Sequence, residues 1–291
     1  MNRRVAGLIL LSLCLCWGAV AQAAGVKLGV ISSRGAVEAN EKWGEFATYL
    51  SQQIQTEVSL VAVSPKDVEN AVTSGQVDFM LGNPVTAVIL QEKYGVNPLV
   101  SMVTATGAKF AGVIVAKKGN GIEKGADLKG KKVMAFQFGT SAAAYVFQVY
   151  HLKKQGVDAH KDFAEFREAK KQDDIVLAVK AGAIDAGFIR TGILEQMSKE
   201  GVVNMDDFVI VDKQSGDFPE VHSTELYAEW MVMTAKATAA DMAHKMKTAL
   251  LALKPTDAGA KKAKITGFVE PLELKNLKDA LKALKLDPYK S

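Results

Sequence analysis

Four short segments of this 291-residue sequence place hydroxyl, amide or guanidinium side chains directly after an apolar run. They are Ser32-Ser33-Arg34, Asn83-Pro84-Val85-Thr86, Phe138-Gly139-Thr140-Ser141 and Arg190-Thr191-Gly192. Each precedes a helical pattern, so each reads as the carboxyl end of a buried strand meeting a helix start. Side chains of these types donate hydrogen bonds. Backbone N–H groups at a helix start are unpaired and carry partial positive charge. An arginine adds a planar fork for two oxygens. The four segments hold no carboxylate, so the chemistry expected of them is capture of an anion. Ser and Thr at helix starts also serve as plain caps, and Arg34 and Arg190 could equally be surface arginines. Gly139-Thr140-Ser141 is the stronger segment, because Ala142-Ala143-Ala144 follows and small residues let a ligand approach the backbone.

Catalytic chemistry finds less support. The histidines are His151, His160, His222 and His244. No pair has i, i+4 spacing and there is no H-E-x-x-H. His222-Ser223 is the exception in position, since it can reach the same cleft as the four segments. Ser141 lacks a G-x-S-x-G elbow because position 143 is Ala. No Walker A pattern occurs. The basic stretch Lys117 to Lys132 lacks the interleaved aromatics that single-stranded nucleic acid needs. The expectation is a binding protein that is not an enzyme, with no cofactor, no metal and no nucleic acid.

The elements that must position these residues alternate. Val26–Ile31, Val58–Val63 and Val77–Leu81 read as strands. Between the first two, Trp43, Phe46, Ala47, Leu50 and Ile54 recur on one helical face. Ser64-Pro65 starts a second helix and Pro84 to Tyr94 is a third. The pattern restarts with a strand at Val133, a helix after Thr140, a strand at Phe163–Phe166, a helix from Asp173 to Ala181 and a strand at Ile184–Ile189. Ala71-Val72-x-x-Gly75-x-x-Asp78 reappears as Ala178-Val179-x-x-Gly182-x-x-Asp185, an offset of 107 residues. The same offset carries Val26–Ile31 onto Val133–Phe138 and Asn83 onto Arg190. Two related α/β lobes are expected, each with a mostly parallel sheet. Two chain crossings, near Thr104–Ala111 and Val211–His222, join them into a hinged clamshell. The lobes are expected at 24–106 with 218–291, and at 107–217, with the helical tail returning to the first lobe. Open sheets bind ligands at the carboxyl ends of their strands, so the four segments should face one another across the cleft.

Residues 1–23 read as a secretory signal peptide, with Arg3-Arg4, the apolar run Val5–Val20 and the cleavage signal Ala21-Gln22-Ala23. Cys14 and Cys16 each follow a Leu, where lipoprotein processing prefers a small residue. Cleavage removes both cysteines and leaves 34 basic against 32 acidic residues. The mature protein is expected to be soluble and periplasmic, without thiol chemistry, and a monomer suits a closing clamshell.

These residues carry a resemblance. Trp43-x-x-Phe46-x-x-Tyr49-Leu50, Gly75-x-Val77-Asp78-Phe79, Leu128-Lys129-Gly130-Lys131-Lys132-Val133, Gly139-Thr140-Ser141 and Ile184-Asp185-Ala186-Gly187-Phe188 resemble, in order and spacing, the phosphate/phosphite/phosphonate-type periplasmic solute-binding proteins of ABC transporters. The resemblance implies the type II periplasmic binding protein fold, a small oxyanion ligand and an ABC permease partner. Leu81-x-Asn83-Pro84, Ile193-Leu194-Glu195-Gln196-Met197-x-x-Glu200-Gly201 and Ser223-Thr-x-Leu226-Tyr227-x-x-Trp230 are similar to the periplasmic sensor domain of tetrathionate-type sensor kinases. That similarity implies an alternative: a free-standing sensory module for a sulfur oxyanion such as tetrathionate or thiosulfate, presented to a membrane sensor kinase. By resemblance the ligand contacts fall on Ser32, Ser33, Arg34, Asn83, Thr86, Phe138, Gly139, Thr140, Ser141, Arg190, Thr191, His222 and Ser223. The serine/threonine-rich run of phosphonate binders is reduced here to Thr140-Ser141, and Gly82 and Pro84 stand where aromatics often flank the asparagine.

Overall fold

The computed structural model describes residues 25–32 and 35–290. The signal-peptide reading and the candidates Ser33 and Arg34 fall outside the described residues. The chain begins β1 (Val26–Ile31), α1 (Ala36–Ile54), β2 (Val58–Val63), α2 (Val68–Thr73), β3 (Phe79–Gly82), α3 (Pro84–Tyr94) and β4 (Pro98–Val103). A short strand, β5 (Lys109–Phe110), leads into β6 (Gly112–Lys117), β7 (Lys132–Phe136), α4 (Phe147–Lys154), α5 (Ala159–Asp162), β8 (Glu165–Ala169), α6 (Gln172–Ala181), β9 (Ala186–Arg190), α7 (Ile193–Lys199) and β10 (Phe208–Ile210). The chain returns through β11 (Tyr227–Ala228) into β12 (Met231–Thr234), α8 (Ala240–Ala252), α9 (Ala258–Ala263), β13 (Gly267–Val269) and α10 (Lys275–Leu284).

Local sequence accounts for these elements. The face of α1 with Trp43, Phe46, Ala47, Leu50 and Ile54 is buried. Asn83 caps α3, its Oδ1 accepting from the Thr86 N–H at 3.1 Å with Pro84 at the first helical position. Gly182 ends α6 in the left-handed region at φ 72°.

Two sheets form the lobes, in the orders β13-β4-β12-β3-β1-β2 and β10-β6-β9-β7-β8. The mostly parallel sheets expected from the sequence are mixed. β1 pairs in parallel with β2 and β3, and β7 with β8 and β9. β12, arriving from the other lobe, pairs antiparallel with both β3 and β4. β6 does the same between β9 and β10. The physical reason is the direction of entry. A helix crossover returns the chain to the same end of the sheet and gives parallel neighbours. A strand that comes through the hinge enters from the cleft side and must run the other way. The antiparallel ribbon of β5 and β11 lies in the two crossings.

The internal repeat is real in structure but not gapless. The pairing Leu28↔Phe79 in the first lobe corresponds to Val133↔Ala186 in the second. Third strands are therefore 107 residues apart and first strands 105. The two-residue difference is even, so the faces of the strand are preserved. The repeated aspartates do one structural job: Asp78 Oδ2 accepts from the Lys27 N–H at 2.8 Å and Asp185 Oδ2 from the Lys132 N–H at 2.7 Å. Each carboxylate ties the head of the third strand to the head of the first.

The tail divides. α8, α9 and β13 join the first lobe, with α9 and α8 packed on α1. α10 instead packs against both α3 and α4, one helix from each lobe. Its Leu277, Ala280 and Leu281 are buried in a core that also holds Val85, Val88, Phe147 and Leu152.

Candidate functional site

A cleft of about 530 Å³ lies between the facing strand ends of the two sheets. From the first lobe it receives Ser32 after β1, Glu38, Lys42 and Trp43 on the first turns of α1, and Asn83 after β3. The second lobe gives Gln137 after β7, the Ser141–Ala144 turn, Gln172 at the start of α6 and Arg190 at the end of β9. Phe110 and Trp230 come from the crossings.

Among the described residues, Arg190 is the best-held cation in the cleft. Its Nη2 donates to Glu229 Oε1 at 2.9 Å and its Nε to the Thr191 carbonyl at 3.3 Å. The guanidinium carbon lies 5.0 Å from the Phe110 ring centroid. Glu229 is buried to 1% side-chain exposure, and its other oxygen accepts from the Trp230 N–H at 3.0 Å. Arg190 keeps 32% of its side chain exposed, and its Nη1 has no hydrogen-bond partner among the described residues. Lys42 Nζ sits 4.8 Å from the Trp43 ring centroid. Desolvation in the cleft, then the Arg190 charge, hold the Lys42 ammonium below the ordinary lysine value, although its side chain keeps contact with solvent.

The alanine run does not form a plain α-helix start. Ala142–Val146 winds as one π turn, with the Val146 N–H donating to the Ser141 carbonyl at 3.0 Å. Such turns concentrate at functional sites. Gln148 holds it: its buried Nε2 donates to the Ala143 carbonyl at 2.8 Å and the Ile189 carbonyl at 2.9 Å. Gly112 must lack a side chain here, since an added Cβ would come within 2.5 Å of the Gln148 amide carbon. Gln148→Leu removes the donor to the Ala143 carbonyl, at about 1–3 kcal/mol for a buried group left unpaired, while the Ile189 carbonyl keeps its place in the β6–β9 ladder and the unpartnered Gln148 Oε1 is lost with the side chain. Urea unfolding would measure it, and an unchanged midpoint would mean that Gln148 does not carry the wall.

The sequence candidates separate into groups. Ser32, Asn83, Ser141 and Arg190 line the cleft together. Ser32 Oγ donates to the Gly35 carbonyl at 2.9 Å, and Asn83 Nδ2 reaches across to the Thr140 carbonyl at 3.3 Å. Gly139, at φ 77°, and Thr140 form the turn behind Ser141. Phe138 points into an aromatic cluster, 4.9 Å from Tyr145 and 4.5 Å from Phe166 between ring centroids. Thr86 contributes its N–H to the Asn83 cap. Thr191, His222 and Ser223 are buried away from the cleft lining. Thr191 Oγ1 accepts from the Ala111 N–H at 3.4 Å, Ser223 Oγ from the Ile114 N–H at 2.8 Å, and His222 Nδ1 lies 3.1 Å from the Glu220 carbonyl. The Thr191 and Ser223 hydroxyls satisfy the backbone where the chain enters β6, while the His222 ring bonds within its own loop.

Sequence reasoning missed Lys42, Gln137, Gln172 and Glu229, and it found no carboxylate at the strand ends. The fold brings Glu38 and Asp173 into the cleft lining and sets Glu229 behind Arg190. Lys42 carried one signal, its place beside Trp43 on the second turn of α1. Among the described residues no group of three or more His, Cys, Asp or Glu is placed to hold a metal ion, and no helix is long and apolar enough to cross a membrane.

The family model described as "ABC transporter, phosphonate, periplasmic substrate-binding protein" matches residues 28–275. The chain belongs to this family. Solved structures share the fold: PhnD1 from Prochlorococcus marinus in complex with methylphosphonate aligns at TM-score 0.70 and 16% identity, covering 89% of this chain and 98% of that one. XAC2383 from Xanthomonas citri, bound to ATP, aligns at TM-score 0.73 and 16% identity, covering 90% and 98%. The tetrathionate sensor histidine kinase TtrS of Salmonella typhimurium is 28% identical over 256 residues, or 85% of this chain. The chain spans 42% of the length of that kinase. Type II binding proteins of this family are two-lobed, as here.

Near the Arg190 end of the cleft, Glu220 lies against Gly192. Burial, then the Glu195 charge, push its carboxyl above the ordinary value, while Arg190 and the Thr191 hydroxyl act in the opposite direction. A carboxyl raised in the folded state holds its proton to higher pH than in the unfolded chain. Stability is therefore lost as pH rises from the ordinary carboxylate value through the raised one. Glu220→Gln is expected to stabilise the protein at pH 7 and to lose that advantage in acid, below the carboxylate range. Urea midpoints at several pH values check this, and a variant less stable at pH 7 refutes it.

Proposed function

We propose that this protein is an exported binding protein that closes on an oxyanion and delivers it to an ABC permease. The signal peptide would be cleaved near Ala23, leaving a periplasmic protein that acts by binding rather than turnover. The lobes are taken as residues 24–106 with 218–291, and 107–217. The observation that carries the reading is the partly exposed Arg190, fixed by Glu229, with Ser141 of its own lobe on the same lining and Lys42 and Ser32 of the other lobe across the cleft. Donors from both lobes surround one space, so closure excludes water and strengthens every charged contact.

A thermal-shift panel on the protein tests it, with phosphate, phosphite, methylphosphonate, sulfate, thiosulfate, tetrathionate and small carboxylates. A ligand selective for the native state raises the melting temperature. Failure of every anion in the panel to shift it would end the anion reading. A second reading has its own support in the 28% identity to a tetrathionate sensor kinase over most of this chain: a sensory module that takes a sulfur oxyanion and presents its closed form to a membrane kinase. A shift confined to thiosulfate or tetrathionate favours that reading over uptake of a phosphorus anion.

A further inference from the structure

We infer that α10 and the residues after it fuse the two lobes along one side, so that the cleft opens and admits its ligand along the other side alone, between the first turns of α1 and the start of α6. This goes beyond the anion reading and does not depend on which ligand binds.

Successive residues of a strand point to opposite faces of its sheet. In the first sheet, Phe79 and Leu81 of β3 enter one buried core and Met80 enters another. In the second, Val113 and Val115 of β6 enter one core, and Ile114 and Ala116 another. Two of these cores are private to a lobe. One lies under α1, with Trp43, Phe46 and Leu50. The other lies under α6, with Ile175, Val176 and Val179. The core on the remaining faces is common to both lobes. Met80, Val85 and Val88 of the first lobe and Ile114, Phe147 and Leu152 of the second belong to one buried cluster. Leu277, Ala280 and Leu281 of α10 belong to it too. Phe110 and Tyr227 carry it through the crossings, the Tyr227 ring stacked on Phe147 at 3.8 Å between centroids.

The strap continues past the helix. Leu284, Leu286 and Tyr289 pack against the shared core, as Phe138 does. A Cβ on Gly139 would lie 4.0 Å from Leu286 Cδ2, at van der Waals contact, so the tail reaches the turn behind Ser141. On the same side, Asn83 Nδ2 donates to the Thr140 carbonyl of the other lobe at 3.3 Å. Parting the lobes there would expose the leucines of α10 to water, which apolar burial opposes. The edge between α1 and α6 has no such core beneath it, because each helix packs into the core of its own lobe. Its lining is charged: Glu38 and Lys42 from one lobe, Lys170, Lys171 and Asp173 from the other. Charged groups are best solvated in water, so wetting this edge meets no comparable penalty. A two-lobed body held at one edge and wet at the other turns about the held edge. Lysines on both sides of the opening also draw an anion towards it.

Spin-label distances in the exported chain, residues 24–291, test this, since that chain has no cysteine of its own. One pair, Glu41→Cys with Asp174→Cys, spans the edge between α1 and α6. A second, Lys66→Cys with Thr140→Cys, spans the edge on the side of α2, α3 and α4. All four residues are exposed, and each sits on the turn or helix that follows the cleft end of a strand. Without ligand, the distance distribution of the first pair should be at least about twofold broader than that of the second. Leu277→Ala with Leu281→Ala should widen the second distribution to match the first. Equal breadth at the two edges, or greater breadth between residues 66 and 140, overturns the inference. The two pairs with the native tail decide this even where the double alanine variant fails to fold. No ligand is added, so an anion panel without any thermal shift would end the anion reading and leave this inference standing.

Discussion

Arg190→Ala is expected to weaken ligand binding by about 1.5–3 kcal/mol, the range for hydrogen bonds to a charged group, or roughly 10- to 150-fold in Kd. The same substitution is expected to destabilise the fold. It leaves Glu229, whose side chain is 1% exposed, as a buried carboxylate whose remaining hydrogen bond among the described residues comes from the Trp230 N–H. Removing one partner of a buried pair costs about 3–5 kcal/mol. The lower end applies here, because Arg190 keeps part of its charge in water. The two effects separate in the double variant Arg190→Ala/Glu229→Gln. A neutral amide still accepts from the Trp230 N–H and carries no buried charge, so stability returns while affinity does not. Calorimetric titration and urea unfolding on the three proteins read the two quantities independently. An Arg190→Ala protein with native affinity would remove Arg190 from the site. A double variant no more stable than Arg190→Ala would show that the buried charge of Glu229 is not what destabilises the single variant.

Leu281→Ala should be the most destabilising single truncation in the tail, at about 2–5 kcal/mol for a fully buried leucine. The reason for singling it out is the position of α10. That helix lies across both lobes, on α3 and α4. Its polar residues tie the same junction: Lys278 Nζ lies 2.8 Å from Glu92 Oε1 on α3, and Asn276 Nδ2 donates to the Leu226 carbonyl in the return crossing at 3.3 Å. A cavity under Leu281 therefore loosens two lobes at once. Hydrogen exchange should show faster opening in α3 and in α4 together, alongside a lower urea midpoint. Loss of protection confined to one of those helices would mean that α10 belongs to a single lobe in energetic terms.

Much of the first half of each lobe was legible from local pattern. The strand at Val26–Ile31, the buried face of α1, the cap at Asn83 and the helix Pro84–Tyr94 depend on neighbours a few residues away. Periodicity and capping encode such contacts directly. The glycine and aspartate repeat also announced the two lobes, because Asp78 and Asp185 serve the same strand-tying role in each. Short elements escaped. β13 and α9 are brief and depend on packing against β4 and α1 for their existence, so their own residues carry little signal.

The site divides along the same line. By itself the sequence determined that hydroxyl, amide and guanidinium groups end the strands at Ser32, Asn83, Ser141 and Arg190, because strand ends and helix starts are local features. Only the tertiary structure decided the rest. It turned Thr191 and Ser223 inward to satisfy the backbone of the chain entering β6. It placed Glu229, 39 residues further along the chain, against Arg190. It also sent β12 and β6 through the hinge in the antiparallel sense and laid α10 across both lobes. Each of these outcomes depends on which distant surfaces meet once both sheets are packed. Contacts between residues far apart in the chain leave no period, cap or turn in the sequence around either one.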